Sequence, residues 1–190
     1  MSDDLVFVKL GGSLITDKGR EATPRPALIR RLAKEMRAAL DAHPQMRIVL
    51  GHGSGSFGHW EADKHGVAQG VATPDQWRGF ARVSAAAARL NRLVTDIFWE
   101  ANVPVISLQP SAAARADAGE IIDWHTTPLR EALDHGLVPL IFGDVAFDQA
   151  WGGTILSTER LFVYLAERLA PARILLFGNA PGVLDDQQRV

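Results

Sequence analysis

The sequence contains no cysteine, which excludes disulfides and thiolate metal sites and is typical of proteins in reducing compartments. It also lacks any apolar run as long as a membrane span. The opening MSDDLVFVKL carries two acids and no basic segment followed by a cleavage site, so it does not resemble a signal peptide. We therefore expect a soluble, cytoplasmic protein that does not bind membranes.

An excess of positive charge is missing as well. The formal net charge is −2, and no stripe of aromatic and basic residues is present, so nucleic acid is not an expected partner. The 190 residues are 47% hydrophobic and 22% charged, which suits one globular domain with a sizeable core. We expect residues 1–190 to form a single domain.

Short apolar runs alternate with longer amphipathic stretches along the chain. The predicted strands are Leu5–Leu10, Met46–Leu50, Val103–Leu108, Val138–Phe142 and Arg173–Phe177. Predicted helices cover Ala27–Ala42, a long segment that starts at Thr73, a short one that starts at Thr127, and Thr158–Leu169. Strands that alternate with helices need crossover connections, which predicts an α/β fold: a three-layer αβα sandwich with a mostly parallel central sheet.

Two details of the helices can be predicted from residue spacing. Leu28, Leu32, Met36 and Leu40 follow one another at intervals of four, which predicts that this face of the first helix turns inward. The segment Thr73-Pro74-Asp75-Gln76 has the form of a capping box, which predicts the start of the long helix.

The first predicted strand ends in a pair of glycines, a pattern that favours an anion-binding site. The segment is Lys9-Leu10-Gly11-Gly12-Ser13, and two glycines after a strand let backbone N–H groups approach an anion. Lys9 lies in an otherwise apolar strand, where burial is costly without an anionic partner. The alternative is a lysine that reaches solvent beside an ordinary turn. The segment matches neither a Walker A nor a dinucleotide fingerprint.

The second strand leads into Gly51–His59 (GHGSGSFGH), with four glycines, two serines and two histidines in nine residues. We interpret it as a loop whose consecutive N–H groups surround a phosphate, with His59 as a further donor. A metal site built from His52 and His59 is a second interpretation, but no acidic partner is nearby. A third is that the histidines only pack against the loop.

These two segments resemble the opening signatures of isopentenyl phosphate kinases, within the amino-acid-kinase (carbamate kinase-like) family. The resemblance covers nearly the whole chain. It is carried by Lys9–Lys18 (KLGGSLITDK), Gly51–His59, Val138–Asp144 with its terminal Gly-Asp, Ile155–Glu159 (ILSTE) and Gly178–Asp185 (GNAPGVLD). It implies ATP-dependent transfer of the γ-phosphoryl group to isopentenyl phosphate in isoprenoid biosynthesis, with Mg²⁺, by a homodimer.

The chain departs from the family pattern at several positions. Ser54 replaces a usual glycine, and Ser157-Thr158-Glu159 stands where Ser-Gly-Asp is more common, so a longer acid replaces the aspartate. In the last segment Asn179 and Pro181 replace expected acids. By comparison with the family we expect an acceptor-binding lobe at about residues 1–145 and the start of a nucleotide-binding lobe at about 146–190, with its C-terminal part missing or shortened.

The resemblance also implies a role for individual residues. Lys9 would stabilise the transferring phosphoryl group, His59 would bind the acceptor's phosphate, Lys18 would support the same cluster, and Asp144 would orient Lys9 and associated water or Mg²⁺. We assign no residue as a metal ligand. The acceptor would contact Gly53, Ser54, Gly55, Gly58 and His59, and the nucleotide would contact Lys9, Gly11, Gly12, Ser13, Ser157, Glu159 and Gly182.

Other functions stay open at this point. A related kinase with a phosphonate or carboxylate acceptor would share these signatures, although His59 argues against an amino-acid acceptor. A non-catalytic nucleotide or oxyanion binder of the same fold is a further alternative. A Rossmann-type oxidoreductase is disfavoured because the dinucleotide fingerprint is absent. Trp60 and Trp124 fit either an acceptor pocket or the core.

Overall fold

A parallel sheet forms the centre of the computed structural model, which describes residues 5–179. In chain order the strands are β1 (Leu5–Leu10), β2 (Arg47–His52), β3 (Val105–Ser107), β4 (Ala114–Asp117), β5 (Glu120–Trp124), β6 (Val138–Phe142), β7 (Asp144–Asp148), β8 (Gly152–Leu156) and β9 (Arg173–Phe177). The central sheet has the order β3-β6-β2-β1-β9, and every pair in it is parallel.

Helices cover this sheet on both faces. They are α1 (Gly12–Ile15), α2 (Pro26–Ala42), α3 (Gly55–His65), α4 (Pro74–Glu100), α5 (Thr127–Asp134) and α6 (Thr158–Leu169), with 3₁₀ turns at Val67–Gln69 and Pro110–Ala112. The predicted capping box is confirmed, because the Thr73 hydroxyl accepts from the amide of Gln76 while the Gln76 side chain accepts from the amide of Thr73.

Alternate side chains of the central strands enter two separate cores. Val8 and Leu50 pack with α2 and α4 on one side of the sheet, whereas Phe7 and Val49 pack with α5 and α6 on the other. A strand that is buried on both faces is what a parallel sheet between helices requires. The predicted three-layer α/β fold with a mostly parallel central sheet is therefore confirmed.

Within the described residues, sequence patterning missed a second, smaller sheet. Its order is β5-β4-β7-β8, with two antiparallel pairs joined by one parallel pair. Asp148 holds its two hairpins together: the carboxylate accepts hydrogen bonds from the amides of Ala118, Gly119, Ala150 and Trp151, at 2.7–3.1 Å. These strands are short and partly polar, so their apolar pattern is weak.

The packing of α2 and the presence of α3 also differ from the predictions. The buried stripe of α2 is Ile29, Ala33 and Met36, with Leu32 and Leu40 at its edge. Helix α3 occupies the second half of the segment interpreted as a loop. Within residues 5–179, no helix is both long and apolar enough to cross a bilayer.

Asp148 provides a test of how the two hairpins are joined. Burial alone would raise the pKa of Asp148, but the four backbone donors outweigh burial and hold the pKa below its usual range. The ionised carboxylate therefore stabilises the fold at neutral pH, and this contribution is lost as the pH falls through the folded-state pKa. Asp148→Asn should lower the free energy of unfolding at neutral pH by roughly 1.5–3 kcal/mol, since bonds to a charged acceptor are lost.

Urea unfolding at neutral and at acid pH measures this effect. The difference between parent and Asp148→Asn should shrink on acidification. Asp117→Asn, at an exposed position of the same β4–β5 hairpin, is the matched control and should have no comparable effect. A variant Asp148→Asn as stable as the parent would contradict the proposed clamp.

Candidate active site

The carboxyl ends of the central strands open on a cavity of about 680 Å³. This is the edge at which parallel α/β sheets bind ligands. Most of the predicted site residues line it: Lys9, Gly11, Gly12, Ser13, Lys18, Gly53, Ser54, Gly58, His59, Asp144, Ser157 and Glu159. Gly55 lines a neighbouring cavity that shares Lys18 and His59 with this one, and Gly182 lies outside the described residues.

Two glycine turns meet at the floor of this cavity. A Cβ atom added to Gly12 would lie 2.6 Å from both Cα and N of Gly55, and one added to Gly53 would lie 2.9 Å from the amide nitrogen of Gly12. These residues lie at the starts of α1 and α3, where the first backbone N–H groups have no partner within the helix. The amides of Gly11 and Gly53 already donate to the carbonyls of Phe177 and Leu10. The close approach therefore gathers the following donors of each turn, Gly12 with Ser13 and Ser54 with Gly55, around one point, which suits an anion with several oxygens.

A buried threonine fixes the distance between the turns. Thr16 donates its hydroxyl to the carbonyl of Gly12 at 2.7 Å and accepts from the amide of Ser56 at 3.0 Å. Sequence reasoning did not single out Thr16. The signal in the sequence was its position inside the Lys9–Lys18 signature. The structure shows that this polar residue is completely buried.

The interpretation of Gly51–His59 as one loop was wrong, and so was the metal site from its two histidines. Gly51 and His52 belong to β2, and α3 begins at Gly55. His52 is fully buried, with Nδ1 3.0 Å from the Gly53 carbonyl and Nε2 3.2 Å from the Asn91 side chain. His59 is exposed and lines the cavity. The two imidazole rings therefore lie in different environments, that of His52 in the protein interior and that of His59 at the cavity.

Burial makes His52 a neutral residue. Its complete desolvation lowers the pKa of His52, against the opposing effect of its hydrogen bonds to Gly53 and Asn91. A neutral imidazole has one N–H donor. In the structure Oδ1 of Asn91 faces Nε2, while Nδ2 of Asn91 donates to the Ser107 hydroxyl. The single ring proton is therefore donated to one of two oxygens, that of Gly53 or that of Asn91.

Lys9 reaches the cavity from within β1, and its partner is an acid of α6. The Nζ atom of Lys9 lies 2.6 Å from Oε1 of Glu159, with side-chain exposures of 13% and 56%. Partial burial alone would raise the pKa of Glu159, but the hydrogen bond and the charge of Lys9 hold that pKa below its usual range. The cost of burying Lys9 is thus offset by an ion pair that also directs its ammonium group into the cavity.

Asp144 lines the same cavity, where protein donors hold its carboxylate. Its carboxylate accepts from the Gln109 side chain at 3.2 Å, from the amide of Ser111 at 3.3 Å and from its neighbour Val145 at 2.9 Å. The carboxylate in contact with Lys9 is that of Glu159. The role implied for Asp144, orienting Lys9 and associated water or Mg²⁺, stays a prediction.

The cavity changes character along its length. His59 and Lys18 lie at the boundary with a second, outer cavity of about 660 Å³, which Trp60 also lines. Ala62, Val83 and Ile155 contribute apolar surface to the first cavity. The site therefore combines charged donors with an apolar compartment.

Trp124 lies elsewhere. It is buried in the core beneath α6, where its ring packs against Tyr164 with centroids 5.9 Å apart. Of the two interpretations left open for this residue, core packing is correct.

No group of three or more metal-ligating side chains occurs in residues 5–179. The two carboxylates of the cavity, Asp144 and Glu159, are engaged by protein donors. A divalent ion at this site would therefore bind mainly through oxygens that a ligand supplies, as Mg²⁺ does with nucleotide phosphates.

Clustered backbone donors, a partly buried lysine and the αβα frame are the features of a small-molecule kinase. Residues 4–190 match the model of the amino acid kinase family. The chain belongs to the amino acid kinase family.

Similar proteins indicate which members of this family the chain resembles. The chain is 31% identical to the isopentenyl phosphate kinase of Methanothermobacter thermautotrophicus, over 94% of this chain and 68% of that protein. It is 36% identical to the isopentenyl phosphate kinase of Haloferax volcanii, over 95% and 71%. An X-ray structure of isopentenyl phosphate kinase superimposes with a TM-score of 0.87 at 31% identity, over 94% of this chain and 73% of that one. The predicted resemblance is confirmed.

The contact between the two glycine turns generates a steric prediction. In Gly12→Ala the new Cβ would meet the backbone of Gly55, which cannot rotate away as a side chain would. The turns must separate, and we expect ATP binding to weaken roughly ten- to a hundredfold, as for the loss of one hydrogen bond to a charged group. Calorimetry measures the binding.

Gly19→Ala is the matched control. A Cβ there would lie 3.4 Å from the flexible Asp17 side chain, in an exposed turn of the same connection. It should bind ATP as the parent does, and thermal unfolding should show both variants folded. Parental affinity in Gly12→Ala would mean that the donors of the two turns do not act together.

Proposed function

We propose that this protein transfers the γ-phosphoryl group of ATP to isopentenyl phosphate and releases ADP and isopentenyl diphosphate. The observation that carries the proposal is a single cavity in which two glycine turns, Lys9 and His59 share space with an apolar compartment. A substrate with a phosphate at one end and a branched hydrocarbon at the other needs both halves of such a site. The similarity to isopentenyl phosphate kinases supports isopentenyl phosphate as the phosphoryl acceptor.

The acceptor phosphate lies, in this proposal, against the Gly53–Gly55 turn, between His59 and the amides of Ser54 and Gly55, with Lys18 at its outer side; the amide of Gly53 donates to the Leu10 carbonyl. All these groups except Gly55 line the first cavity. Gly58 leaves room beside Ser54, since a Cβ there would lie 2.4 Å from the Ser54 hydroxyl oxygen. The hydrocarbon then extends toward Val83 and Ile155, where displacing water from apolar surface favours binding.

The nucleotide lies on the other side of Lys9. Gly12 and Ser13 supply backbone donors, and Ser157 and Glu159 supply the start of α6. Gly11 lines the same wall, but its amide donates to the carbonyl of Phe177 at 2.7 Å. We propose that residues about 1–145 form the acceptor-binding part and about 146–190 begin the nucleotide-binding part. Gly182 belongs to the latter by resemblance alone.

Transfer needs positioning and charge stabilisation more than covalent help. An oxygen of the acceptor phosphate attacks the γ-phosphorus, and the bond from that phosphorus to the β–γ bridging oxygen breaks as ADP leaves. The acceptor phosphate is already ionised near neutral pH, so no strong base is needed. The ammonium group of Lys9, held by Glu159, stabilises the charge that spreads over the transferring group.

Mg²⁺ would neutralise part of the charge on the ATP phosphates. The residues of the cavity fit an ion that binds through nucleotide oxygens and water, since Asp144 and Glu159 are already engaged. The homodimer implied by the resemblance stays a prediction, which sedimentation equilibrium can check.

A panel of acceptors tests the proposal. The protein should convert isopentenyl phosphate with ATP and Mg²⁺ far faster than a phosphonate, glutamate or acetylglutamate. Product formation is followed by phosphorus NMR, which distinguishes a new diphosphate from an acyl phosphate. Efficient phosphorylation of a carboxylate, with none of isopentenyl phosphate, would contradict it. ATP binding without turnover of any acceptor would favour a non-catalytic binder.

Lys9→Met separates catalysis from binding. The variant keeps the length and apolar stem of the side chain, and the half-exposed Glu159 can be hydrated when its partner is lost. We expect kcat to fall about 100- to 1000-fold, the usual cost of removing one donor to transition-state charge, with ATP affinity changing far less.

Lys34→Met, on the exposed face of α2, is the control and should keep parental kinetics. Circular dichroism checks that each variant folds. Equal losses of ATP binding and of kcat in Lys9→Met would make Lys9 a simple binding residue.

A further inference from the structure

The carbonyl oxygen of His52 joins three elements at the base of the site. It accepts from the amide of Gly143, after β6, at 3.1 Å and from the hydroxyl of Thr158, at the start of α6, at 2.6 Å. The next residue after this carbonyl is Gly53, which belongs to the phosphate-binding turns. This one carbonyl oxygen thus links the turn at Gly53, on the side of the cavity proposed for isopentenyl phosphate, to the helix that carries Glu159.

Both branches of the Thr158 side chain, the hydroxyl and the methyl, contact β2 and so fix the position of the residue. The residue is buried, its hydroxyl points to His52, and its methyl lies over Gly51, where an added Cβ would come within 2.7 Å of it. A β-branched side chain has little rotational freedom at χ1. Gly51 therefore leaves the space that lets α6 approach β2, and Thr158 fills it with a directed hydrogen bond.

This bond is not needed to start the helix or to satisfy the carbonyl. Ser157 already caps α6 by accepting from the amide of Arg160 at 3.2 Å, and His52 keeps the bond from Gly143. The bond of Thr158 instead fixes where the first turn of α6 lies relative to β2. Glu159 is the following residue, and its carboxylate holds Lys9.

We propose that Thr158 is a positioning residue: its bond to the His52 carbonyl aligns Glu159, and through it Lys9, with the phosphate-binding turns. The inference rests on the proposed function for its kinetic test. Thr158 lies at the cavity wall, but its hydroxyl is directed to His52 and its methyl to Gly51, so in this scheme it acts on the geometry of transfer. Misplacement of a catalytic group by a fraction of an ångström lowers the rate without removing a binding contact.

Thr158→Val tests this, because it removes the hydroxyl and keeps the shape. We expect kcat for isopentenyl phosphate to fall roughly five- to tenfold, as for one lost hydrogen bond, with both KM values within about twofold. Thr158→Ser restores the hydroxyl and should recover most of kcat. Thr95→Val is the control, since buried Thr95 makes its bond inside α4 to Asn91 at 2.8 Å, and it should keep parental kcat.

A double-mutant cycle identifies the route of the effect. Glu159→Gln lowers kcat by itself, and in that background Thr158→Val should add less than about twofold, because residues that act through one another are not additive. Full additivity would overturn the inference. So would an unchanged kcat in Thr158→Val, or a failure of Thr158→Ser to recover it. If Thr158→Val does not fold, Thr158→Ala replaces it and is compared with Thr158→Ser.

A second readout needs no substrate. In Thr158→Val the pKa of Glu159, followed by carbon NMR, should rise toward its ordinary value as the contact with Lys9 loosens, whereas Thr95→Val should leave it unchanged. If the parent fails to phosphorylate isopentenyl phosphate, the proposed function fails while this measurement still decides the role of Thr158. An active parent with unchanged Glu159 pKa and kcat in Thr158→Val overturns the inference alone.

Discussion

The contact between Gly12 and Gly55 is the constraint on which the site depends. No side chain fits between the two turns, because a Cβ on Gly12 would lie 2.6 Å from the backbone of Gly55. This brings the starts of α1 and α3 together where β1 and β2 end as neighbours. The backbone donors of both turns then converge without any charged side chain, so the site can bind phosphate while the chain as a whole carries a net charge of −2.

Charge enters the site through the ion pair of Lys9 and Glu159. A buried lysine would be costly alone, and the pair lowers that cost while leaving the ammonium group at the cavity. Behind it lies the neutral residue His52. Its ring contacts the Gly53 carbonyl, and its own carbonyl accepts from the Thr158 hydroxyl. Lys9 on β1 is thus paired with Glu159 on α6, and the neighbouring Thr158 bonds α6 to the carbonyl of His52 on β2.

Sequence patterns predicted the frame well where burial is strong. The strands that became β1 and β6 were predicted with correct ends, and so was α6 with its Ser157 cap. Each has a continuous apolar run or a clear helix period, which local physics alone can reveal. The second sheet was missed, because its hairpins are joined by the carboxylate of Asp148 and distant backbone amides rather than by an apolar pattern.

For this protein the sequence by itself determined the αβα order, the family and the two glycine-rich signatures. These follow from local periodicity and from short motifs. Only the tertiary structure decided that His52 is buried while His59 faces the cavity, and that Glu159 is the acid paired with Lys9. The reason is physical: spacing along a strand or helix fixes which way a residue faces within its element, whereas its partners depend on how elements far apart in the chain approach one another.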